Sequence, residues 1–314
     1  MFDVVAFMEK QLKFLRAEVK GKAIIACSGG VDSTTATVLA SQALEDDLLA
    51  IYVDTGLMRK GESEQVCGIL SRLKVNYKFL DATNEFLEAL RGIEDPERKR
   101  QIIGNKFVEI FENEAKSFGS EYLIQGTIAP DWIESGGKLR DRIKSHHNVA
   151  GLPEVMNLKL VEPLRDLYKD EVRQLARHLG VHVSERQPFP GPALAVRIAG
   201  EVIREKVDLI RDITAIVEEE IEKAARESKM VLPWQYFAIL LPTKSVGVQG
   251  DVRVYGYTVV VRAVDSVDGM TASYSNIPHD VLEIISSRIT NEVKGVNRVL
   301  YDISHKPPAT IEWE

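Results

Sequence analysis

A chain of 314 residues, 45% hydrophobic and 28% charged, has a globular balance with room for two domains, and this composition excludes general disorder. Its formal charge of −7 argues against a broad electrostatic footprint for DNA or RNA, yet leaves room for a small anion in a local basic pocket. No apolar run is long enough for a membrane helix, and the start, Met1-Phe2-Asp3-Val4-Val5, lacks a basic segment followed by an apolar core, so no membrane association and a cytoplasmic location are expected.

The first predicted strand covers residues 23–27 and runs into Ser28-Gly29-Gly30-Val31-Asp32-Ser33, then a helix from near Ser33 through Leu39. Glycines let the backbone turn tightly and approach a ligand, while N–H groups, two serine hydroxyls and the positive end of a helix converge there. An anion belongs at such a junction. A Walker-type loop would add Gly-Lys-Ser/Thr, and the absence of that lysine disfavours kinase and GTPase chemistry. Further strands are predicted at 48–53, 77–80 and 121–126, with a helix over 96–118 from the spacing of Ile102, Ile103, Phe107, Ile110 and Phe111. Alternating strands and helices give a parallel sheet covered by helices, an α/β fold, whose strand ends at Ser28-Gly29 and Asp54-Thr55-Gly56 should line one pocket. Cys27 and Cys67 form no Cys-x-x-Cys pair and read as structural.

Residues 131–153 have glycine and proline interruptions and little apolar periodicity, and they gather Lys138, Arg140, Arg142, Lys144, His146 and His147. The run reads equally as a lid over a phosphorylated substrate or as a solvated charged loop. Three prolines and a glycine in Gln187-Pro188-Phe189-Pro190-Gly191-Pro192 mark a boundary, giving expected domains at 1–187 and 188–314. Beyond it come a helix over 203–228, an apolar run at 236–241, a strand at 253–264, a helix over 279–293 and a strand at 296–303. They form an α+β module with an expected antiparallel sheet and a natural dimer surface.

The string at 28–33 resembles the loop of the ATP pyrophosphatases, which cleave ATP between the α and β phosphates. Several more strings point the same way: Val53-Asp54-Thr55-Gly56-Leu57, Gln125-Gly126-Thr127, Pro130-Asp131, Lys144-Ser145-His146-His147-Asn148, Phe189-Pro190-Gly191-Pro192 and the stretch from Lys306 to Glu314. Together they closely resemble the GMP synthetase family over essentially the whole chain. The resemblance implies an adenine nucleotide α-hydrolase-like ATP pyrophosphatase domain followed by a smaller α+β dimerisation domain. Only about twenty residues precede the first strand, too few for a glutaminase domain. The chain is therefore expected to be the synthetase subunit of a two-subunit, archaeal-like enzyme, with a separate glutamine amidotransferase subunit as partner and a homodimeric state.

The implied reaction joins XMP, ATP and ammonia to give GMP, AMP and pyrophosphate, with Mg2+ as cofactor. On the resemblance, Ser28, Gly29, Gly30, Val31, Asp32, Ser33, Thr34 and Gly126 hold ATP. Val53 and Leu57, with Ile25, are candidates to pack on the adenine, although apolar residues at strand ends are usually core. Asp32 and Asp131 are the candidate magnesium ligands or holders of its water shell, a helix N-cap being the rival reading of Asp32. Lys144, His146 and His147 match the family's lid motif and are candidates for contacting XMP and charge near the α-phosphate. Asp131 and Glu134 are candidates to orient ammonia or take its proton. Lys169 and Asp170 are candidates for shaping the XMP site, a charged helix face being as plausible. Arg253 and Lys306 are candidates for the XMP phosphate, one of them across a dimer interface if the dimer forms. The chain departs from the most familiar bacterial form at Asp54-Thr55-Gly56, where Asp-Asn-Gly is common, and at Ala193 and Ala195, which replace glycines. Among other loop-bearing enzymes, the tRNA-thiolating ones need catalytic cysteines and generally a basic surface, whereas this chain has neither a cysteine pair nor a positive balance. A non-catalytic nucleotide sensor is the alternative from a different class.

Overall fold

The apolar runs of the first part of the chain become β1 (Ala23–Ala26), β2 (Leu48–Asp54), β3 (Tyr77–Asp81), β4 (Tyr122–Ile124) and β5 (Lys159–Val161) in the computed structural model, which describes residues 2–129, 158–181, 187–267 and 269–314. Every neighbouring pair is parallel, and the order is β3-β2-β1-β4-β5. The chain lays down β1 in the middle, adds β2 and β3 on one side, then crosses to the other side for β4 and β5. Strand order therefore reverses at β1, the place where open α/β sheets collect ligands. Ala23, Ile24 and Ile25 are buried, as a central parallel strand covered on both faces requires.

By spatial proximity the chain divides into two units. The first takes Met1–Thr55, Gly61–Thr83 and Arg100–Arg186; the second takes Gly56–Lys60, Asn84–Lys99 and Gln187–Glu314. In the first unit, α1 (Val4–Glu18) is capped by Asp3, whose carboxylate accepts from the Ala6 N–H at 3.0 Å, and it buries Leu15 and Gln11. This helix was not expected, because its apolar stripe is narrow. The helix expected from Ser33 starts earlier and ends later, as α2 (Val31–Leu44). It is buried over most of its surface, and its threonines stay satisfied inside by bonding back one turn, Thr35 to the Val31 carbonyl and Thr37 to the Ser33 carbonyl. Next in chain order come α3 (Glu62–Arg72), α4 (Thr83–Ala89), which lies in the second unit beyond Thr83, α5 (Pro96–Phe118), which enters the first unit at Arg100, and α6 (Lys169–His178). The expected strand at 121–126 is shorter: β4 ends at Ile124, the Gln125 N–H still donates to the Val161 carbonyl at 3.0 Å, and Gly126-Thr127 runs beyond the sheet.

The second unit is built on α7 (Arg204–Arg226), whose Val207, Ile210, Ile213, Val217, Ile221 and Ala224 fall on one buried face at helical spacing. That helix packs beside the hairpin of β6 (Gln235–Gln249) and β7 (Val252–Asp265), with α8 (His279–Glu292). The apolar run at 236–241 is thus only the first half of a much longer strand. The expected antiparallel sheet is mixed: β7 pairs antiparallel with β6 and with the short β8 (Ser273–Tyr274), but parallel with β9 (Val296–Tyr301). Strand period reveals which residues are extended and leaves their direction open, since α8 returns the chain so that β9 runs alongside β7. Asn297 on β9 occupies the space left by Gly247 and Gly256; a Cβ at either glycine would come within 3.0 Å of it. Its side chain exchanges hydrogen bonds with Ser245, pinning the hairpin.

Candidate functional site

At the carboxyl end of β1 the Cys27 N–H still donates to the Ile51 carbonyl at 3.0 Å, and the chain then turns through Ser28 and Gly29. Gly29 has φ +81°, and a Cβ there would stand 2.3 Å from Val66 Cγ2, so both conformation and space demand glycine. Gly30, in extended conformation (φ −68°, ψ 161°), is the residue that caps α2. Asp32 is therefore not the N-cap; it lies inside the first turn, where a carboxylate suits the positive helix end. The first-turn N–H groups of Val31, Asp32 and Ser33 have no intrahelical carbonyl to bond. Beside them the Ser28 and Ser33 hydroxyls lie 2.9 Å apart, with Ser33 also donating to the Gly30 carbonyl at 3.2 Å. Thr34 is buried, its hydroxyl 3.9 Å from Cys27 Sγ and its N–H on the Gly30 carbonyl, so it braces the helix start.

Gly126, just past β4, closes the other wall. A Cβ at this position would come 3.0 Å from the Asp32 carbonyl carbon and oxygen and the Ser33 Cα, all backbone. Two neighbouring strand ends thus press together at the point where strand order reverses.

The electrostatics centre on Asp32. Its Oδ2 accepts from Lys169 Nζ at 2.5 Å, and its Oδ1 is buried with no hydrogen-bond partner among the described residues. Lys169 is the first residue of α6, whose start is held by the Tyr168 N–H donating to Glu171 Oε2 at 2.8 Å. A cation at a helix N-terminus opposes the macrodipole, so Asp32 is what balances it there. The first turns of two helices and one ammonium meet at a single carboxylate, a field that favours further negative charge. Asp170 is exposed. Asp131, Glu134, Lys144, His146 and His147 lie outside the described residues.

At the end of β2, Ser63 donates to Asp54 Oδ2 at 2.7 Å and lies 3.0 Å from the Tyr52 hydroxyl, whose pKa burial pushes up. Ile25 and Val53 are buried in the first unit. Leu57 is fully buried in the second, with its carbonyl accepting from the Leu194 N–H. Sequence reasoning missed Arg211, which donates to the Gly56 and Met58 carbonyls and so fixes the segment following β2. Only its place in a helical pattern was legible. Burial raises the pKa of Cys27 and of Cys67, leaving neither as a ready thiolate.

Within the second unit, Arg253 is exposed near the hairpin end, opposite Val248. Lys306 pairs through its backbone with Ala272, beyond the far end of β7 where Asp265 meets Ser273, and its Nζ donates to the Gly269 carbonyl at 2.7 Å. At strand rise the two cations stand on the order of 40 Å apart along β7.

A strand, a glycine-serine turn and a helix start at the reversal point of a five-stranded parallel sheet define a PP-loop nucleotide-binding protein. A PP-loop domain model matches residues 5–186, and a GMP synthase C terminal domain model matches 219–313. The chain is 58% identical over 297 residues to a GMP synthase [glutamine-hydrolyzing] subunit of Thermoplasma acidophilum, covering 95% of each chain. It is 56% identical to the equally named subunit from Methanopyrus kandleri, covering both chains in full. Against the longer GMP synthase [glutamine-hydrolyzing] of Thermotoga petrophila it is 53% identical, with 98% of this chain matching 62% of that one. The chain belongs to the family of these GMP synthase subunits. None of its described helices is long and apolar enough to cross a membrane.

Proposed function

We propose that this chain aminates XMP to GMP at the expense of ATP, through an adenyl-XMP intermediate, releasing AMP and pyrophosphate. The observation that carries the reading is the donor cradle at Ser28–Ser33 set around the Asp32–Lys169 pair, in a chain 58% identical to a GMP synthase subunit. Xanthine O2 attacks the α-phosphorus, and the bond to the departing pyrophosphate breaks. Charge grows on that leaving group, where the first-turn N–H groups of α2 and the two serine hydroxyls are already oriented. Lys169 lies against the loop and is assigned here to phosphate oxygens in place of XMP. Ammonia then attacks C2 and AMP departs. Asp131 and Glu134 orient ammonia or take its proton, while Lys144, His146 and His147 meet XMP in a lid that excludes water.

Magnesium fits this site, because Asp32 has one buried oxygen without a partner beside an anion cradle. No three His, Cys, Asp or Glu side chains cluster among the described residues, so the ion would share Asp32, and Asp131 in our proposal, with phosphate oxygens and water. When bound it would neutralise phosphate charge. Arg253 and Lys306 take the XMP phosphate from different copies of a homodimer, which their separation along β7 favours. Ammonia comes from a separate glutamine amidotransferase subunit, in the cytoplasm.

Purified chain incubated with XMP, MgATP and ammonium should form GMP and AMP together, and only with XMP present, as followed by chromatography. Glutamine alone should give no turnover. Equal GMP from glutamine would overturn the separate-glutaminase proposal, and absence of both products would overturn the synthetase reading.

A further inference from the structure

Three cations of the second unit have side chains with no exposed surface, and each is paired with a carboxylate from 302–314: Lys99 with Glu314, Arg197 with Glu312 and Arg262 with Asp302. A buried charge is costly unless it is matched and its donors are satisfied, so such an arrangement fixes the segment that supplies the partners. Arg262, in β7, does so by bonding two limbs at once. Its NH1 donates to Asp302 Oδ2 at 2.7 Å and to the Ser304 carbonyl at 3.2 Å on the outgoing limb. Its NH2 and Nε donate to the Thr310 carbonyl at 2.7 Å and the Ile311 carbonyl at 2.8 Å on the returning one. Trp313 adds a bond across the same base, Nε1 to Asp302 Oδ2 at 2.9 Å.

Between the limbs His305, Pro307 and Pro308 are exposed. A loop with exposed residues gains little from burial of its own, so its shape rests on the Lys306–Ala272 backbone pair at its middle and on the closure at its base. What the closed loop carries is Lys306, which spends one N–H on the Gly269 carbonyl; an ammonium has three.

We infer that Arg262 is a positioning residue for Lys306: it closes the base of the loop so that the ammonium is held where a phosphate monoester can accept from it. The inference rests on the reading of Lys306 as a ligand of the XMP phosphate. The test is a double-mutant cycle on the full chain with ammonium as nitrogen source, measuring KM for XMP and for ATP separately. Lys306→Met should raise KM for XMP about tenfold or more, and Arg262→Gln should do likewise while KM for ATP stays within about twofold. The double variant should be no worse than Lys306→Met alone, because positioning an absent ammonium has no effect. Asp302→Asn keeps the volume and removes the charge that receives both Arg262 and Trp313; its cycle with Lys306→Met decides the matter if Arg262→Gln does not fold. Additive losses, or a rise in both KM values together, would show Arg262 and Asp302 to be merely structural and overturn the inference. An unchanged KM for XMP in Lys306→Met would overturn the reading beneath it as well.

Discussion

Gly126 shows how much a single missing Cβ decides. It faces backbone atoms of Asp32 and Ser33, which have no flexible end to swing aside. Gly126→Ala should displace the loop by a few tenths of an ångström and raise KM for ATP about tenfold, with a far-ultraviolet circular dichroism spectrum like that of the parent. An unaltered KM for ATP would mean that the β4 end does not shape the cradle. The loop itself was legible because Ser28, Gly29, Gly30 and Ser33 act within six consecutive residues. The Lys169 partner of Asp32 was not, since 137 residues separate them and only the fold joins them. The rival cap reading of Asp32 falls on a local fact, that Gly30 caps α2, which the sequence leaves open because Gly, Asp and Ser are all favoured caps.

Among the elements, α7 is more than an apolar stripe. Its Glu218 accepts from Arg59 at 3.3 Å and from Gln187 at 2.8 Å, while the Phe189 ring meets the guanidinium groups of both Arg59 and Arg197, 4.5 and 5.1 Å from its centre. Burial raises the pKa of Glu218, and the charges of Arg59 and Arg197 oppose that rise. A raised carboxyl stabilises the fold most when protonated: its contribution is fully present below the ordinary value of 4.5 and is lost as pH climbs through the raised one. Urea unfolding across that window should therefore show the stability of the parent, relative to Glu218→Gln, falling as pH rises. A flat difference would assign the residue no linkage. Elements were legible where periodicity was long, as in α5 and α7. They were missed where the pattern was short or half-exposed, as in β5, with two of its three residues exposed, and where pairing direction depended on a later helix, as in β9.

For the whole molecule, the separation of Arg253 and Lys306 makes the copy number of an active site measurable. If each site draws one cation from each of two copies, then mixing Arg253→Gln with Lys306→Met, with exchange of subunits, should restore about a quarter of parental activity from two poorly active proteins. No recovery would place both cations in one copy or remove one of them from the site. The three buried cations also bear on biosynthesis. Lys99, Arg197 and Arg262 all leave the ribosome before the carboxylates of Asp302, Glu312 and Glu314 that neutralise them. Until that stretch emerges, the second unit cannot close without sealing unpaired charge inside it, whereas the five strands of the first unit are complete at Val161 and the helix that carries Lys169 ends at His178. Cotranslational folding should accordingly be split in time, the nucleotide cradle being made early and the loop that carries Lys306 being the last part to set.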